Sequence, residues 1–171
     1  MTVQIIDNYL TDGELRHLSD NMIGAGKGIP WKYSPHKVRP GDDGHQFTHQ
    51  FYTTGRKSDW FDLIVPLMKG FNVLGIYKIK SNLEPNCGER KYSEFHHDYN
   101  HPETLQPASH MTTCIYYVNT CNGYTEFKDG TIVESVANRL AVFSSDTLHR
   151  GVTQTDTKVR CVINCNWFNA L

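Results

Sequence analysis

Val159-Arg160-Cys161-Val162-Ile163-Asn164-Cys165-Asn166-Trp167-Phe168 is the stretch on which the reading of the fold turns. In an extended chain, successive side chains point to opposite faces. Val159, Cys161, Ile163, Cys165 and Trp167 then share one face, and Arg160, Val162, Asn164 and Asn166 share the other. A strand that is apolar on one side and polar on the other, with an arginine between hydrophobic neighbours, is expected to line a polar cavity. Working outward, residues 75–83 (GIYKIKSNL), 112–119 (TTCIYYVN), 124–130 (YTEFKDG) and 139–145 (RLAVFSS) have the same β-branched and aromatic character. The turn-forming segments NTCNG, KDG and TQTDT separate them.

The first half is different. VQIIDNYL reads as an opening strand, and Thr11-Asp12-Gly13-Glu14 has the form of a capping box. Leu15, Leu18 and Met22 follow at helical spacing. Residues 24–57, rich in Gly, Pro, His and Lys, read as long loops with room for one strand. Ser58 could cap a second helix over SDWFDLIVPLMKGF, broken or kinked at Pro66. Helices first and closely spaced strands afterwards predict a mainly β, α+β domain whose antiparallel strands form a sandwich or barrel. No repeat or linker divides the chain, so residues 1–171 are expected to form a single domain, with a helical and loop support over about 1–73 and a β core over about 74–168.

Bulk properties narrow the function. The 171 residues are 39% hydrophobic, 12% aromatic and 20% charged, with a formal net charge of −1. A chain living on phosphate contacts is usually strongly basic, so nucleic acid is not an expected partner. The five cysteines are odd in number and include no C-x-x-C pair, which argues against a disulfide framework or a zinc ribbon. Buried free thiols in a reducing compartment are the expectation. The MTVQIIDNYL start does not resemble a signal peptide, and no window approaches a membrane span. A cytoplasmic protein is expected.

The chemistry centres on Glu94-Phe95-His96-His97-Asp98-Tyr99. Two residues apart on an extended chain, His96 and Asp98 point to the same side, and His97 points away. With His149 as a third ligand, at the end of an apolar strand, two imidazoles and a carboxylate would hold a metal by one face and leave the other open. That set suits non-haem Fe(II), and it also suits a hydrolytic zinc. Nine histidines make a chance H-x-D unremarkable, so His96 could be a surface histidine and His149 a strand-end residue capping a turn. Arg160 lies across the TQTDT turn and its face puts a guanidinium into the same cavity. A buried arginine needs an anion: a ligand carboxylate gripped in two places, or a structural salt bridge with Glu126.

In this order, His96-x-Asp98, His149 and Arg160, followed by an alternating strand ending in Trp167, resemble the 2-oxoglutarate/Fe(II) oxygenase superfamily. Thr113-Cys114-Ile115-Tyr116-Tyr117-Val118-Asn119 and Gly123-x-Thr125-x-Phe127-x-x-Gly130 are similar to the corresponding stretch of the prolyl-hydroxylase-like group. The resemblance covers roughly residues 74–168. It implies a double-stranded β-helix, or jelly roll, with supporting helices. It implies Fe(II) on His96, Asp98 and His149, and 2-oxoglutarate with its far carboxylate on Arg160. Tyr117, Ile115, Thr125, Asn164 and Asn82 match positions around that cosubstrate. O2 is the second cosubstrate, ascorbate a possible addition, and the substrate a prolyl peptide or protein, with a free amino acid or small metabolite as the alternative. A non-enzymatic jelly-roll binding module is the reading from another class. Relatives often carry the clamp nine or ten positions past the distal histidine, which makes Lys158 a rival for Arg160. Gly123 stands alone where many have a Gly-Gly pair. Asp98 occupies the position that the related halogenases leave to chloride. Residues 99–110 could form a lid, and Trp31, Tyr33, Arg39, His49 and Tyr52 another wall; both could equally be solvated loops.

Overall fold

The structure, a computed structural model, describes residues 2–42, 44–99 and 110–169. Eleven strands form two sheets among these residues. They are β1 (Gln4–Ile6), β2 (Lys32–Ser34), β3 (Gln46–Thr53), β4 (Arg56–Lys57), β5 (Val73–Pro85), β6 (Met111–Tyr117), β7 (Tyr124–Phe127), β8 (Ile132–Glu134), β9 (Arg139–Ser144), β10 (His149–Val152) and β11 (Val159–Asn169). The larger sheet runs β1-β9-β6-β11-β5-β3-β2, with β4 paired to β3. The smaller runs β10-β7-β8. All pairings are antiparallel.

β11 is central to the larger sheet, and its alternation explains both faces. Cys161, Ile163, Cys165 and Trp167 are fully buried in an outer core with Leu18 and Met22 of helix α1 (Asp12–Ile23) and Phe61, Ile64 and Leu67 of a 3₁₀ helix (Phe61–Met68). On the other face Val162 packs with Ile115, Tyr117, Ala141 and Phe143, against Phe127 and Val133 of the smaller sheet. The two sheets thus close on a second, smaller core, and a polar cavity opens beside it. This is a jelly roll with helices on one side of the larger sheet.

The capping box forms as expected: Glu14 N–H donates to the Thr11 hydroxyl, and Thr11 N–H donates to the Glu14 carboxylate. Other expectations need correction. The second helix starts at Phe61 rather than after Ser58, and its turns are 3₁₀; Pro66 lacks the N–H that an α-helical bond there would need. Residues 24–57 hold three strands, not one; β3 alone has 8 residues and pairs with β5 in the larger sheet. The apolar strand before His149 ends at Ser144, and His149 opens a strand of its own in the smaller sheet. Among the described residues, no helix is long and apolar enough to cross a membrane. All five cysteines are free, and only Cys87 is exposed.

Candidate active site

A cavity of about 510 Å³ lies between the sheets, walled by β5, β6 and β11 on one side and by β7, β10 and residues 93–98 on the other. At one end His96, Asp98 and His149 converge, with one ligand atom from each all lying within 4.8 Å of one another. Backbone pairing brings them together. His96 N–H donates to the His149 carbonyl at 3.0 Å, and His149 N–H donates to the His96 carbonyl at 3.1 Å, so the two are direct cross-strand partners. Their Nε2 atoms lie 3.9 and 3.8 Å from the Asp98 Oδ1.

The outer partners orient this group. His96 Nδ1 is 3.0 Å from the Glu94 carbonyl, and His149 Nδ1 is 3.0 Å from the Thr147 carbonyl. A carbonyl only accepts, so each Nδ1 carries a proton and each Nε2 is the ring atom that faces Asp98. Asn166 Nδ2 donates to Asp98 Oδ2 at 3.0 Å, leaving Oδ1 for the two rings. Burial alone would raise the Asp98 pKa, but His149, Lys78, His96 and the Asn166 bond reverse that and hold it well below the ordinary carboxylate range. Burial and the His149 neighbour lower the His96 pKa, against the pull of Asp98. Two imidazoles, one carboxylate and backbone carbonyls behind the rings are the donor set and outer shell that a divalent transition metal needs.

Arg160 stands at the other end. Its Nε donates to Ser135 Oγ at 2.9 Å, Nη1 to Glu84 Oε2 at 3.0 Å and Nη2 to Thr125 Oγ1 at 3.3 Å. A guanidinium has five N–H groups, so one remains on each Nη. Tyr117 lies behind this cluster, fully buried, donating its hydroxyl to Thr125 at 2.8 Å. Thr125, Ile115, Asn164 and Asn82 all line the cavity. Among the described residues the Oδ1 atoms of Asn82 and Asn164 are buried with no hydrogen-bond partner, so the wall between the two ends offers polar atoms to a ligand. Lys158 is exposed and contributes nothing to this wall. Gly123 gives Arg160 its room: a Cβ there would lie 2.7 Å from Arg160 Cδ and 2.9 Å from the Val152 carbonyl oxygen.

The salt-bridge partner of Arg160 is Glu84, whereas Glu126 pairs with Arg150 at 2.8 Å. Lys37 also reaches Glu84, at 2.7 Å, with 8% and 6% of the two side chains exposed. Burial would raise the Glu84 pKa; Arg160 and Lys37 overcome it and keep the carboxylate ionised. Sequence reasoning put Asn166 on the cavity face without its bond to Asp98, and missed Lys37 and Glu84, of which Glu84 was within reach. The alternation Lys78-Ile79-Lys80-Ser81-Asn82-Leu83-Glu84 was the available signal, since it puts four polar side chains on one face of β5.

The expected second wall is built from other residues. Trp31 and Tyr52 pack on the outer core, and His49 is held by the Pro30 carbonyl and Ser58. Tyr33 is exposed, and Arg39 pairs with Glu94 at 2.6 Å. Lys37, Val38 and Gln46 line the cavity instead. The lid expected at 99–110 lies, apart from Tyr99 and His110, outside the described residues.

No family model and no curated protein matches the sequence. Solved structures do match the fold. A viral collagen prolyl hydroxylase from Paramecium bursaria Chlorella virus-1, in its 2-oxoglutarate complex, superposes with a TM-score of 0.64 at 15% identity, covering 100% of this chain and 97% of that one. A Pseudomonas putida prolyl-4-hydroxylase gives 0.60 at 16% identity, covering 98% and 92%. The non-haem α-ketoglutarate-dependent epimerase SnoN of nogalamycin biosynthesis gives 0.64 at 12%, covering 98% and 76%. The chain therefore has the jelly-roll fold shared by prolyl hydroxylases and other 2-oxoglutarate-dependent oxygenases.

Proposed function

We propose that this chain is an Fe(II)- and 2-oxoglutarate-dependent hydroxylase acting on a prolyl residue of a peptide or protein. The observation that carries the reading is the convergence of His96, Asp98 and His149, with both Nε2 atoms turned to one carboxylate oxygen, at one end of a cavity whose other end holds Arg160. The three side chains would hold the metal. Arg160 would hold the far carboxylate of the cosubstrate with the N–H left on each Nη, and Thr125 would position the guanidinium, with Tyr117 bonded behind it. Asn82 and Asn164 would bond the cosubstrate between the ends, and Ile115 would pack against its carbon chain. Ferrous iron with bound 2-oxoglutarate supplies the activation of O2 that puts a hydroxyl on an unactivated C–H bond. The protein's own contribution is placement: Ile115, Val162 and Leu148 give the cavity its apolar surface, and the hydrogen bonds behind each ligand prevent the imidazoles from rotating. Ascorbate would act only to keep the iron ferrous.

A prolyl substrate is favoured by the recurrence of prolyl hydroxylases among the superposable structures, and SnoN keeps a small-molecule substrate as the second reading. The test is succinate release from 2-oxoglutarate in the presence of proline-containing peptides, free amino acids or methylated oligonucleotides. Stimulation by peptide supports the proposal; stimulation by free amino acids alone shifts it to the second reading. Succinate release unaltered by His149→Ala would remove the iron centre from the account, and zinc-supported activity without O2 would make the site hydrolytic.

A further inference from the structure

The larger sheet forms the cavity floor in transverse rows, set by strand register. Across β5, β11 and β6 these are Lys78–Asn166–Thr113, Lys80–Asn164–Ile115 and Asn82–Val162–Tyr117, followed by Glu84–Arg160. Asn166 holds Asp98, so the first row marks the metal end, and the last marks the Arg160 end. Strands rise about 3.3 Å per residue, so Lys80 and Glu84 start about 13 Å apart on β5.

Charges pair off along these rows until two are left. Glu84 already balances one of Lys37 and Arg160. The far carboxylate of 2-oxoglutarate would balance the other. A divalent ion would be balanced by Asp98 and the near carboxylate. Lys78 and Lys80 line the same cavity, and no carboxylate among the described residues lies within ion-pair distance of either. Lys80 is only partly exposed, and burial beside Lys78 lowers its pKa despite Asp98. The Lys78 ammonium lies 5.8 Å from the centre of the Tyr77 ring, a weak contact, and two cations lining one half-closed cavity cost free energy unless an anion joins them.

We propose that Lys78 and Lys80 form an oxyanion subsite for the primary substrate, placed on the β5 wall beside the metal end of the cavity. The inference rests on the oxygenase reading above and sharpens it: the substrate carries a carboxylate or phosphate close to the atom that is hydroxylated. In a peptide that group is an acidic side chain flanking the target; in a small metabolite it is the molecule's own carboxylate.

The experiment uses the full chain loaded with Mn(II) and saturating 2-oxoglutarate, without O2, and inorganic phosphate as the probe. Phosphate held near Mn(II) has its ³¹P relaxation accelerated. In Lys78→Met/Lys80→Met that acceleration falls about tenfold, the loss expected for charge-assisted hydrogen bonds, with Mn(II) and 2-oxoglutarate still bound. No acceleration in the wild type, or the same acceleration in the double variant, overturns the subsite. Displacement of phosphate by an aspartate-bearing prolyl peptide identifies a peptide source, and displacement by free proline a small-molecule source. Equal displacement by the asparagine peptide or by prolinamide, or displacement by none of them, overturns the proposal. If Lys80→Met instead abolishes 2-oxoglutarate binding while Arg160→Met spares it, Lys80 holds the cosubstrate and the subsite is overturned with the oxygenase reading intact. Failure of the wild type to bind Mn(II) or 2-oxoglutarate sinks the oxygenase reading itself.

Discussion

On the outer face of β11, Cys161, Ile163, Cys165 and Trp167 meet an apolar layer of helix and sheet residues. On the inner face, Arg160 and Asn166 spend their polar groups on Ser135, Glu84, Thr125, Asp98 and Thr113. Both faces are buried, yet they differ in what burial secures. The outer face holds the sheet to its helices by removing apolar surface from water. The inner face stabilises little on its own account, because its hydrogen bonds replace equally good ones to water; what it fixes is direction. Substitutions on the two faces should therefore separate into losses of folding and losses of binding.

The largest separation is expected from His149→Ala on the inner side. Metal affinity should fall by more than the roughly 10–100-fold that loss of an outer hydrogen-bond partner costs, with succinate release at background. A variant that keeps its metal in a calorimetric titration would break the comparison. Trp167→Ala on the outer face should destabilise the fold by about 3–5 kcal/mol, seen as a lower urea midpoint. The molecules that remain folded should bind metal as before. Asn166→Leu sharpens the contrast, because it removes one amide beneath Asp98. Metal affinity should drop about 10–100-fold, while Asp98 itself stays in place. Gly123→Ala tests the Arg160 end, where the new methyl must push Arg160 or the Val152 carbonyl aside. The dissociation constant for 2-oxoglutarate should rise about tenfold, equivalent to about 1.4 kcal/mol, with metal binding untouched.

The smallest effect is one of pH. Asp42 accepts N–H groups from Lys37, Val38, Arg39 and Gly44. Burial would raise its pKa, but these bonds lower it from 3.8 to about 2. A depressed carboxylate pKa stabilises the fold above the unfolded value and loses that contribution as pH falls through the folded one. Between about pH 4 and pH 2 the loop that carries Lys37 to Glu84 should therefore loosen. Amide exchange at Lys37, Val38 and Arg39 should accelerate in that window, while amides of β11 stay protected.

The β11 alternation, the capping box at Thr11 and the shared side of His96 and Asp98 were legible because each is a local rule of backbone geometry. Glu84 was not, since its pairing with Arg160 depends on which strand lies beside β11, and β5 is far away in the sequence. The strand character of β3 was hidden because its buried positions include Gln46 and His49, whose polar groups are satisfied by the Lys37 and Pro30 carbonyls rather than by apolar packing. The 3₁₀ helix shows the same limit, for its composition is helical and only the hydrogen-bond pattern around Pro66 decides its pitch.

The bridge between His96 and His149 has one further effect. One ligand belongs to the smaller sheet, while another is tethered through Asn166 to the larger, so an ion seated among them would rivet the two halves of the roll. Its binding would add directly to resistance against unfolding, about 2.7 kcal/mol at a free concentration one hundred times the dissociation constant. The melting temperature would then climb with the supply of metal, and scarcity would shorten the protein's lifetime as well as silence it.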